Sequence, residues 1–330
     1  MVDGATPAGQ PVLTRLAGLS KAQADGVTRL AAAVAAADGI EAFSEQMLLN
    51  LTDSHREVTH LLLTGPAGAR RAGGDRRDQL GSAVDQGSTA LGGGPDQPGS
   101  AVEILGYAQF DDGAAELAIH PEHRRRGLGR GLVEAVLTEP GVRLWAHGDL
   151  PAAAALAQDL GLDRVRDLHL MSAPAPRGRQ EAPEDEGIRV RTFEVGQDEE
   201  AWLAVNARAF ADHPEQGRLT RADLDARIAQ PWFDPEMFFL AEDAVTGRLL
   251  GSLWVKIEGT VGEIYALGVD PDAQGRGLGG LLTGHAMAAF TGAGLDRLEL
   301  YVEGENTAAI RTYARVGFTK ERADVQYARR

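Results

Sequence analysis

The chain reads as an α/β protein of two tandem domains, each a mixed sheet flanked by helices. Three observations predict this. First, a decapeptide recurs. His120-Pro121-Glu122-His123-Arg124-Arg125-Arg126-Gly127-Leu128-Gly129 is echoed 150 residues later by Asp270-Pro271-Asp272-Ala273-Gln274-Gly275-Arg276-Gly277-Leu278-Gly279. A period that long marks a duplicated domain, not a solenoid. Second, short apolar runs and segments of helical periodicity follow one another in the same order around each copy of the decapeptide. Third, a length of 330 residues suits about two domains of roughly 100–200 residues each.

Helices open each copy, at 21–37 and 43–51 in the first and at 198–211 and 220–229 in the second. Strand runs follow at 60–63 and 104–110, then at 238–242 and 250–257. A further strand, 114–119 or 263–269, enters the glycine-rich loop, and the loop opens a helix. In the first copy Leu128, Leu132, Ala135 and Val136 fall at i, i+4, i+7 and i+8, an amphipathic face. A strand and a helix close each copy, at 143–146 and 151–160 and at 297–303 and 307–316. Segment 173–187 is rich in proline and charge and has no apolar periodicity, so it reads as a linker between domains 1–172 and 188–330. Residues 65–101 hold ten glycines, three prolines and no aromatic. So little apolar surface cannot offset ordering entropy, and a disordered insertion between two strands is expected there.

Bulk composition narrows the function. The formal net charge is −15, with no basic stripe, so a nucleic-acid partner is not expected. A cationic small molecule such as an amine is attracted by that charge. The absence of cysteine excludes disulfides, thiolate nucleophiles and Cys-ligated metals, and no metal is expected. No run of about 18 apolar residues is present. The start, MVDGATPAGQ, lacks a basic region followed by an apolar core. A cytoplasmic monomer is the expectation.

The loop pattern is Arg124-x-x-Gly127-x-Gly129 in one copy and Gln274-x-x-Gly277-x-Gly279 in the other. Glycines let backbone approach a phosphate closely, and a helix start offers unpaired N–H donors with partial positive charge. A diphosphate suits that place. A plain strand–helix turn is the alternative, and recurrence at one place in both copies disfavours it. No Gly-Lys-Ser/Thr follows, so this is not a P-loop.

The strand, this loop and the helix together resemble motif A of the GNAT acetyltransferases. The stretch 300–318, LYVEGENTAAIRTYARVGF, resembles their motif B. The tandem arrangement, with His213-Pro214-Glu215-Gln216-Gly217 early in the second copy, resembles the mycothiol synthase family over nearly the whole chain. Insertion 65–101 is the main departure. The resemblance implies two tandem GNAT (acyl-CoA N-acyltransferase) domains and acetyl-CoA as co-substrate. It implies acetyl transfer to the cysteinyl amine of desacetyl-mycothiol, a cysteine–glucosamine–inositol pseudodisaccharide. Backbone amides of Gln274, Gly275, Arg276, Gly277, Leu278, Gly279 and Gly280 are then expected to hold the pyrophosphate. Leu267, Gly268 and Val269 would align the pantetheine and polarise the thioester carbonyl. Asn306, Thr307, Ala308, Ala309, Ile310 and Arg311 would line the remaining CoA wall. The corresponding cradle of the first copy would use Leu117, Ala118, Ile119, Arg125, Arg126, Gly127, Leu128, Gly129 and Arg130.

Aminolysis of a thioester needs a base for the amine, donors for the oxyanion and an acid for the thiolate. Glu263 sits on the strand entering the second loop, and by strict alternation it shares a face with Tyr265, Leu267 and Val269. A carboxylate on an apolar strand suits a general base, and the plainer reading is an exposed strand-end glutamate. Gly268 suggests a bulge or a close backbone approach that frees the Val269 N–H. Tyr313, with Ala309 and Ile310 on the inner side of the last helix, is either a packed core tyrosine or the acid that the resemblance implies. Asn306 suits an N-cap. The resemblance assigns substrate contacts to Glu45, Glu215, Lys256, Glu263 and Tyr301, with the substrate near the junction of the domains. Read without it, Glu45, Glu215 and Lys256 are solvated surface residues. His213 ranks below Glu263 as a base, because it precedes a proline in a loop.

Aligning the copies on Pro121 and Pro271 sets Gly113 opposite Glu263. Aligning them on Gly161 and Gly317 sets Ala157 opposite Tyr313 and Leu150 opposite Asn306. The first copy is therefore expected to hold acetyl-CoA without catalysing transfer. Rival readings are an acetyltransferase for another small amine or a protein N-terminus, and a non-catalytic acyl-CoA sensor.

Overall fold

The computed structural model describes residues 10–53, 56–66, 102–111, 113–178, 180–211, 213, 216–291 and 293–329. The chain divides into two compact units, Met1–Arg166 together with Asp324–Arg330, and Asp167–Ala323. Among the described residues no helix is long and apolar enough to cross a membrane.

The first unit contains β1 (Val12–Leu16), α1 (Lys21–Asp38), α2 (Glu45–Leu49), β2 (Thr59–Pro66), β3 (Val102–Asp111), β4 (Ala114–Ile119), α3 (Leu128–Val136), β5 (Arg143–Ala146) and α4 (Pro151–Asp159). Helix α1 starts where Ser20 and Gln23 form a reciprocal capping box and stops at Gly39 in the left-handed region. Two strands straddle the units, β6 (Asp163–Pro174) and β12 (Thr319–Ala328). The second unit adds β7 (Ile188–Thr192), α5 (Glu199–Ala209), α6 (Arg221–Ile228), β8 (Phe238–Asp243), β9 (Leu249–Glu258), β10 (Val261–Val269), α7 (Leu278–Phe290), β11 (Arg297–Glu303) and α8 (Thr307–Arg315).

In the first unit the strand order is β1-β2-β3-β4-β5-β12, and in the second it is β6-β11-β10-β9-β8-β7. Neighbours run antiparallel except β4 with β5 and β10 with β11, which are parallel. Each parallel pair is short. β4 and β5 pair only at Ala114↔Arg143 and Ala115↔Leu144. β10 and β11 pair from Val261↔Arg297 to Ile264↔Leu300 and then part. Each sheet is covered on both faces. In the second unit Trp202, Val205, Leu224, Phe238 and Trp254 pack beneath α5 and α6. Leu278, Leu282, Ala286 and Phe290 of α7 pack on the other face with Tyr313 and Phe318.

The last strand of each sheet comes from the other repeat. β6 follows the final helix of the first repeat, yet pairs with β11 from Glu303↔Leu168 to Arg297↔Pro174. β12 follows the final helix of the second repeat, yet pairs with β5 through Val325↔Ala146, Gln326↔Trp145 and Tyr327↔Leu144. The compact division thus differs from the sequence boundaries at 172 and 188. Residues 173 and 174 belong to β6, and 324–330 belong to the first unit. Residues 65 and 66, read from composition as part of an insertion, complete β2, and 67–101 lie outside the described residues.

β12 also brings a charge to the first unit. Asp324 Oδ2 lies 3.1 Å from His147 Nδ1, and Glu116 Oε2 lies 3.1 Å from His147 Nε2. Ser44 donates to the Glu116 carboxylate through its hydroxyl (2.5 Å) and its N–H (2.6 Å). The Gly148 N–H donates to Asp324 at 2.7 Å. Side-chain exposures are 17%, 12% and 7% for His147, Glu116 and Asp324. Burial opposes charge on His147, but Glu116 and Asp324 outweigh it and push the imidazole up to about 10. Burial likewise opposes ionisation of Glu116, and the adjacent imidazolium with the Ser44 donors holds it below the usual carboxylate range.

Candidate active site

In the second unit β10 runs into a one-turn 3₁₀ helix, Pro271–Ala273, capped by Asp270, whose side chain accepts from the Asp272 N–H. Gln274 is extended, and Gly275 (φ 78°) and Gly277 (φ 80°) turn the chain through the left-handed region. Gly277 is the N-cap of α7 and offers no side-chain acceptor, so the first-turn N–H groups of α7 face outward uncapped. No acidic side chain sits in that turn. A Cβ at Gly279 or Gly280 would meet nothing within 4 Å. Uncapped donors, the positive end of the helix and open space together make a cradle whose chemistry suits an anion such as a diphosphate.

That cradle forms one wall of a cleft of about 310 Å³. Leu267, Val269, Gln274, Gly275, Gly277, Leu278, Gly279, Gly280, Ala309 and Tyr313 line it. Gly268, Arg276, Asn306, Thr307, Ile310 and Arg311, expected at the same ligand, are not among the described lining residues, and the side chain of Ala308 lies outside what is described. Ala273, Thr283 and Thr312 are, and sequence reasoning missed them. Thr312 shares a helical face with Ala309 and Tyr313, a spacing that could have found it. Thr283 lies on α7 four residues after Gly279 and donates to the Gly279 carbonyl at 2.7 Å. Asn306 caps α8 through a 3.0 Å bond from the Ala309 N–H. Tyr313 is buried, and burial pushes its phenol up to about 12.

Two expectations for β10 need correction. The register against β9 shifts between Ile264 and Ala266, so the bulge is at Tyr265 and not at Gly268. At Gly268 the close approach is by a ring, because a Cβ there would meet Phe210 Cε2 at 2.9 Å. The bulge also breaks alternation. Ile264, Leu267 and Val269 pack on the α7 face, whereas Tyr265 and Ala266 pack with Trp254 on the α5–α6 face. Glu263, one residue before Ile264 and paired across from Lys256, lies on the α5–α6 face with Tyr265, not with Leu267 and Val269.

Around Glu263 the α5–α6 face is aromatic and charged. Lys256 Nζ lies 4.9 Å from the centre of the Trp232 ring and 2.9 Å from Glu258 Oε2. Trp232 and Tyr265 rings are 5.2 Å apart, and the Tyr265 hydroxyl accepts from Arg227 Nε at 2.9 Å. Beyond the point where β10 and β11 part, Glu303 Oε1 on β11 lies 3.5 Å from His213 Nε2. His213 Nδ1 accepts from the Gln216 N–H at 3.0 Å, which leaves Nε2 on the Glu303 side. Sequence reasoning did not single out Glu303, because its partner is distant along the chain. Tyr301, 39% exposed, accepts from Arg322 at 3.3 Å. Glu215 lies outside the described residues.

The first unit repeats the cradle with changes. Gly127 (φ 80°) is the N-cap of α3, again without a side-chain cap, and Arg125 (φ 62°) holds the left-handed place that Gly275 holds in the second copy. Arg124 donates to the Ile119 carbonyl at 3.1 Å and grips Asp38 through both guanidinium nitrogens. Leu117 and Ile119 pack on the α3 face of β4, and Ala118 on the α1 face. Leu128 is buried, while Arg125, Arg126 and Arg130 are exposed at the loop and Gly129 is half-buried. Gly113 lies in the turn before β4, Ala157 is buried on α4, and Leu150 caps α4 without a side-chain bond. Glu45 is half-buried in the first turn of α2, behind the Ser44 cap.

Known proteins give this geometry a family. Residues 201–318 match the model of the acetyltransferase (GNAT) family. A mycothiol acetyltransferase of Thermobispora bispora is 45% identical, covering 92% of this chain and 95% of that protein. Another from Streptomyces coelicolor is 43% identical over 94% of this chain and 93% of its own. Among solved structures, a GCN5-related N-acetyltransferase from Sphaerobacter thermophilus matches with a TM-score of 0.60 at 24% identity, covering 96% of this chain and 94% of that one. A tandem GNAT protein from the clavulanic acid biosynthesis pathway matches with a TM-score of 0.62 at 18% identity, covering 96% and 98%. These two structures share the fold over both repeats. The chain belongs to the mycothiol acetyltransferase family, a branch of the GNAT acetyltransferases whose fold it carries twice.

Proposed function

We propose that the second unit transfers the acetyl group of acetyl-CoA to the cysteinyl amine of desacetyl-mycothiol, as the names of the relatives suggest. The observation that carries this reading is the cleft in which the uncapped start of α7, the open edge of β10 and the Tyr313 phenol meet. The pyrophosphate of acetyl-CoA would take the α7 amides. After Ile264 the β11-side edge of β10 has lost its strand partner, so backbone groups on that edge near Leu267 and Val269 can pair with the pantetheine amides, although the Val269 carbonyl now accepts a 3.5 Å bond from the Gln274 side chain. The bulge at Tyr265 divides the work between two faces. Leu267 and Val269 serve the thioester on the α7 side, and Glu263 serves the amine on the α5–α6 side.

The reaction then runs as an aminolysis. Glu263 takes a proton from the ammonium, directly or through water, and the amine nitrogen forms a bond to the thioester carbon. Backbone N–H groups at the end of β10 stabilise the oxyanion. The carbon–sulfur bond breaks, and CoA leaves as a thiolate. Because burial holds the Tyr313 phenol near 12, it stays protonated across the working pH range and donates to that sulfur. Lys256 and Tyr301, with Glu215, are the proposed contacts for the sugar hydroxyls and the amine. The first unit keeps a cradle but carries glycine, alanine and leucine where the second has Glu263, Tyr313 and Asn306, so it holds ligand without transferring acetyl. A CoA-release assay on purified protein tests the reading. Turnover with the cysteinyl pseudodisaccharide should greatly exceed turnover with polyamines, aminoglycosides and peptide N-termini. Equal rates on all of them would overturn the substrate assignment.

A further inference from the structure

The turn that enters the first cradle carries chemistry that acetyl transfer does not use. His120 and His123 flank a one-turn 3₁₀ helix, Pro121–His123, and Glu103 of neighbouring β3 reaches the same spot. One ligand-type atom from each residue lies within 4.8 Å of the others. His123 is 4% exposed, and its buried Nε2 has no hydrogen-bond partner. The nearest charged atom, Glu103 Oε1, is 3.2 Å away, but not aligned for a hydrogen bond. A buried ring nitrogen without a partner is costly, and native structures rarely leave one. Two atoms that approach closely yet do not point at each other are arranged as neighbours around a common third atom. On a tetrahedral ion with Zn–N and Zn–O bonds of about 2.0–2.2 Å, adjacent ligand atoms stand about 3.3–3.5 Å apart.

We propose that Glu103, His120 and His123 form a binding site for a divalent first-row transition ion of the zinc type. Two imidazoles and one carboxylate suit such an ion and leave a fourth position for water or an anion. The ion would tie the start of β3 to the turn that leads into the Arg124–Gly129 loop. The second repeat has no equivalent. Its corresponding residues are Asp270 and Ala273, and Asp270 is taken by Arg208 at 3.0 Å and Arg248 at 3.2 Å. Two groups compete with the ion. The Glu122 N–H donates to His120 Nδ1 at 3.4 Å, a long bond that must give way when the ion takes that ring. Arg126 Nη1 lies 3.3 Å from His123 Nδ1, and a metal on Nε2 requires Nδ1 to carry the proton. Arg126 is exposed, and it also donates a 3.1 Å bond to the Glu122 carbonyl, so an ion on His123 has to displace it from Nδ1.

Untagged full-length protein, stripped with a chelator, is titrated with Zn²⁺ alone against a chromogenic competitor. The same protein takes Co²⁺ as a spectroscopic stand-in. The expected result is one ion per chain, retained through gel filtration, with Co²⁺ visible bands of a low-coordinate N/O site and a zinc-dependent rise in Tm. His120→Ala and Glu103→Gln, at half-buried positions, should each weaken binding by at least ~100-fold, beyond the 10–100-fold typical of outer-sphere changes. Arg126→Ala should tighten it, because it removes both the competitor and a positive charge. These readouts need no substitution at the buried His123. Failure of the native protein to retain zinc, or native-like affinity in the His120→Ala, Glu103→Gln double variant, would overturn the site.

Discussion

Replacing His147 with alanine should destabilise the first unit by about 3–5 kcal/mol, the cost of breaking a buried ion pair from one side. The geometry places the value within that range. Removing the imidazolium takes the positive charge from between two carboxylates, Glu116 and Asp324, whose side chains are 12% and 7% exposed. Ser44 still offers two donors to Glu116 and Gly148 one to Asp324, which pulls the loss toward the lower end. For a unit of this size, at about 2–4 °C per kcal/mol, the loss is a fall in Tm of roughly 6–20 °C. Differential scanning calorimetry with matched chemical denaturation measures it. The pH dependence gives a second signature. His147 titrates near 6.5 when unfolded and about 10 when folded, so its contribution is fully present below about pH 6.5 and is lost as the pH climbs to about 10. In the variant the deficit should shrink toward pH 4, where the stranded carboxylates can take protons. A loss under about 1 kcal/mol between pH 5 and 8, the size of an exposed pair, would refute the reasoning.

Glu263→Gln should lower kcat by on the order of 10²–10⁴-fold with little change in acetyl-CoA affinity, and near-normal rates across the working pH range would remove Glu263 from proton transfer. Tyr313→Phe should cost about 10–100-fold, the worth of a hydrogen bond to a developing anion. Because the phenol keeps its proton up to about pH 12, any alkaline limb below that belongs to another group and should persist in Tyr313→Phe. Deleting 324–330 should unfold the first unit selectively, read by limited proteolysis and mass spectrometry of the surviving fragment, since β5 loses its antiparallel partner and His147 loses Asp324.

Much of the fold was legible because apolar spacing carries it. Helix α1 and strands β4, β5 and β11 lie where periodicity puts them, within a residue at each end. Strand β12 was not legible, because its inward residues include Asp324 and Gln326, 5% and 0% exposed, and a polar interior shows no hydrophobic alternation. β6 was hidden for another reason, since its start, Asp163-Arg164-Val165-Arg166, is charged and has no buried residue to set an alternation. The cradle was legible because its chemistry belongs to the backbone, and glycine marks where backbone must turn left-handed or stay bare. The bulge at Tyr265 has no glycine or proline to announce it, so alternation was carried one residue too far. The Glu116–His147–Asp324 cluster depends on a contact between residues 177 positions apart, His147 and Asp324, a relation that no local pattern encodes.

The exchange of final strands sets a clock on synthesis. β5 ends at Ala146, but its partners Val325 to Tyr327 leave the ribosome about 180 residues later. At about 5–20 residues per second, roughly 10–40 s separate the two. Throughout that interval β5 shows an open edge, the kind of edge that recruits strands from neighbouring chains. The first partner on offer is β6, which emerges only a short helix later and runs in the sense that a single-copy sheet would accept. The native chain is reached only if β6 is kept for β11, or surrenders β5 when β12 arrives. Cells making this protein faster, or at higher concentration, therefore face a competition that the finished molecule no longer displays.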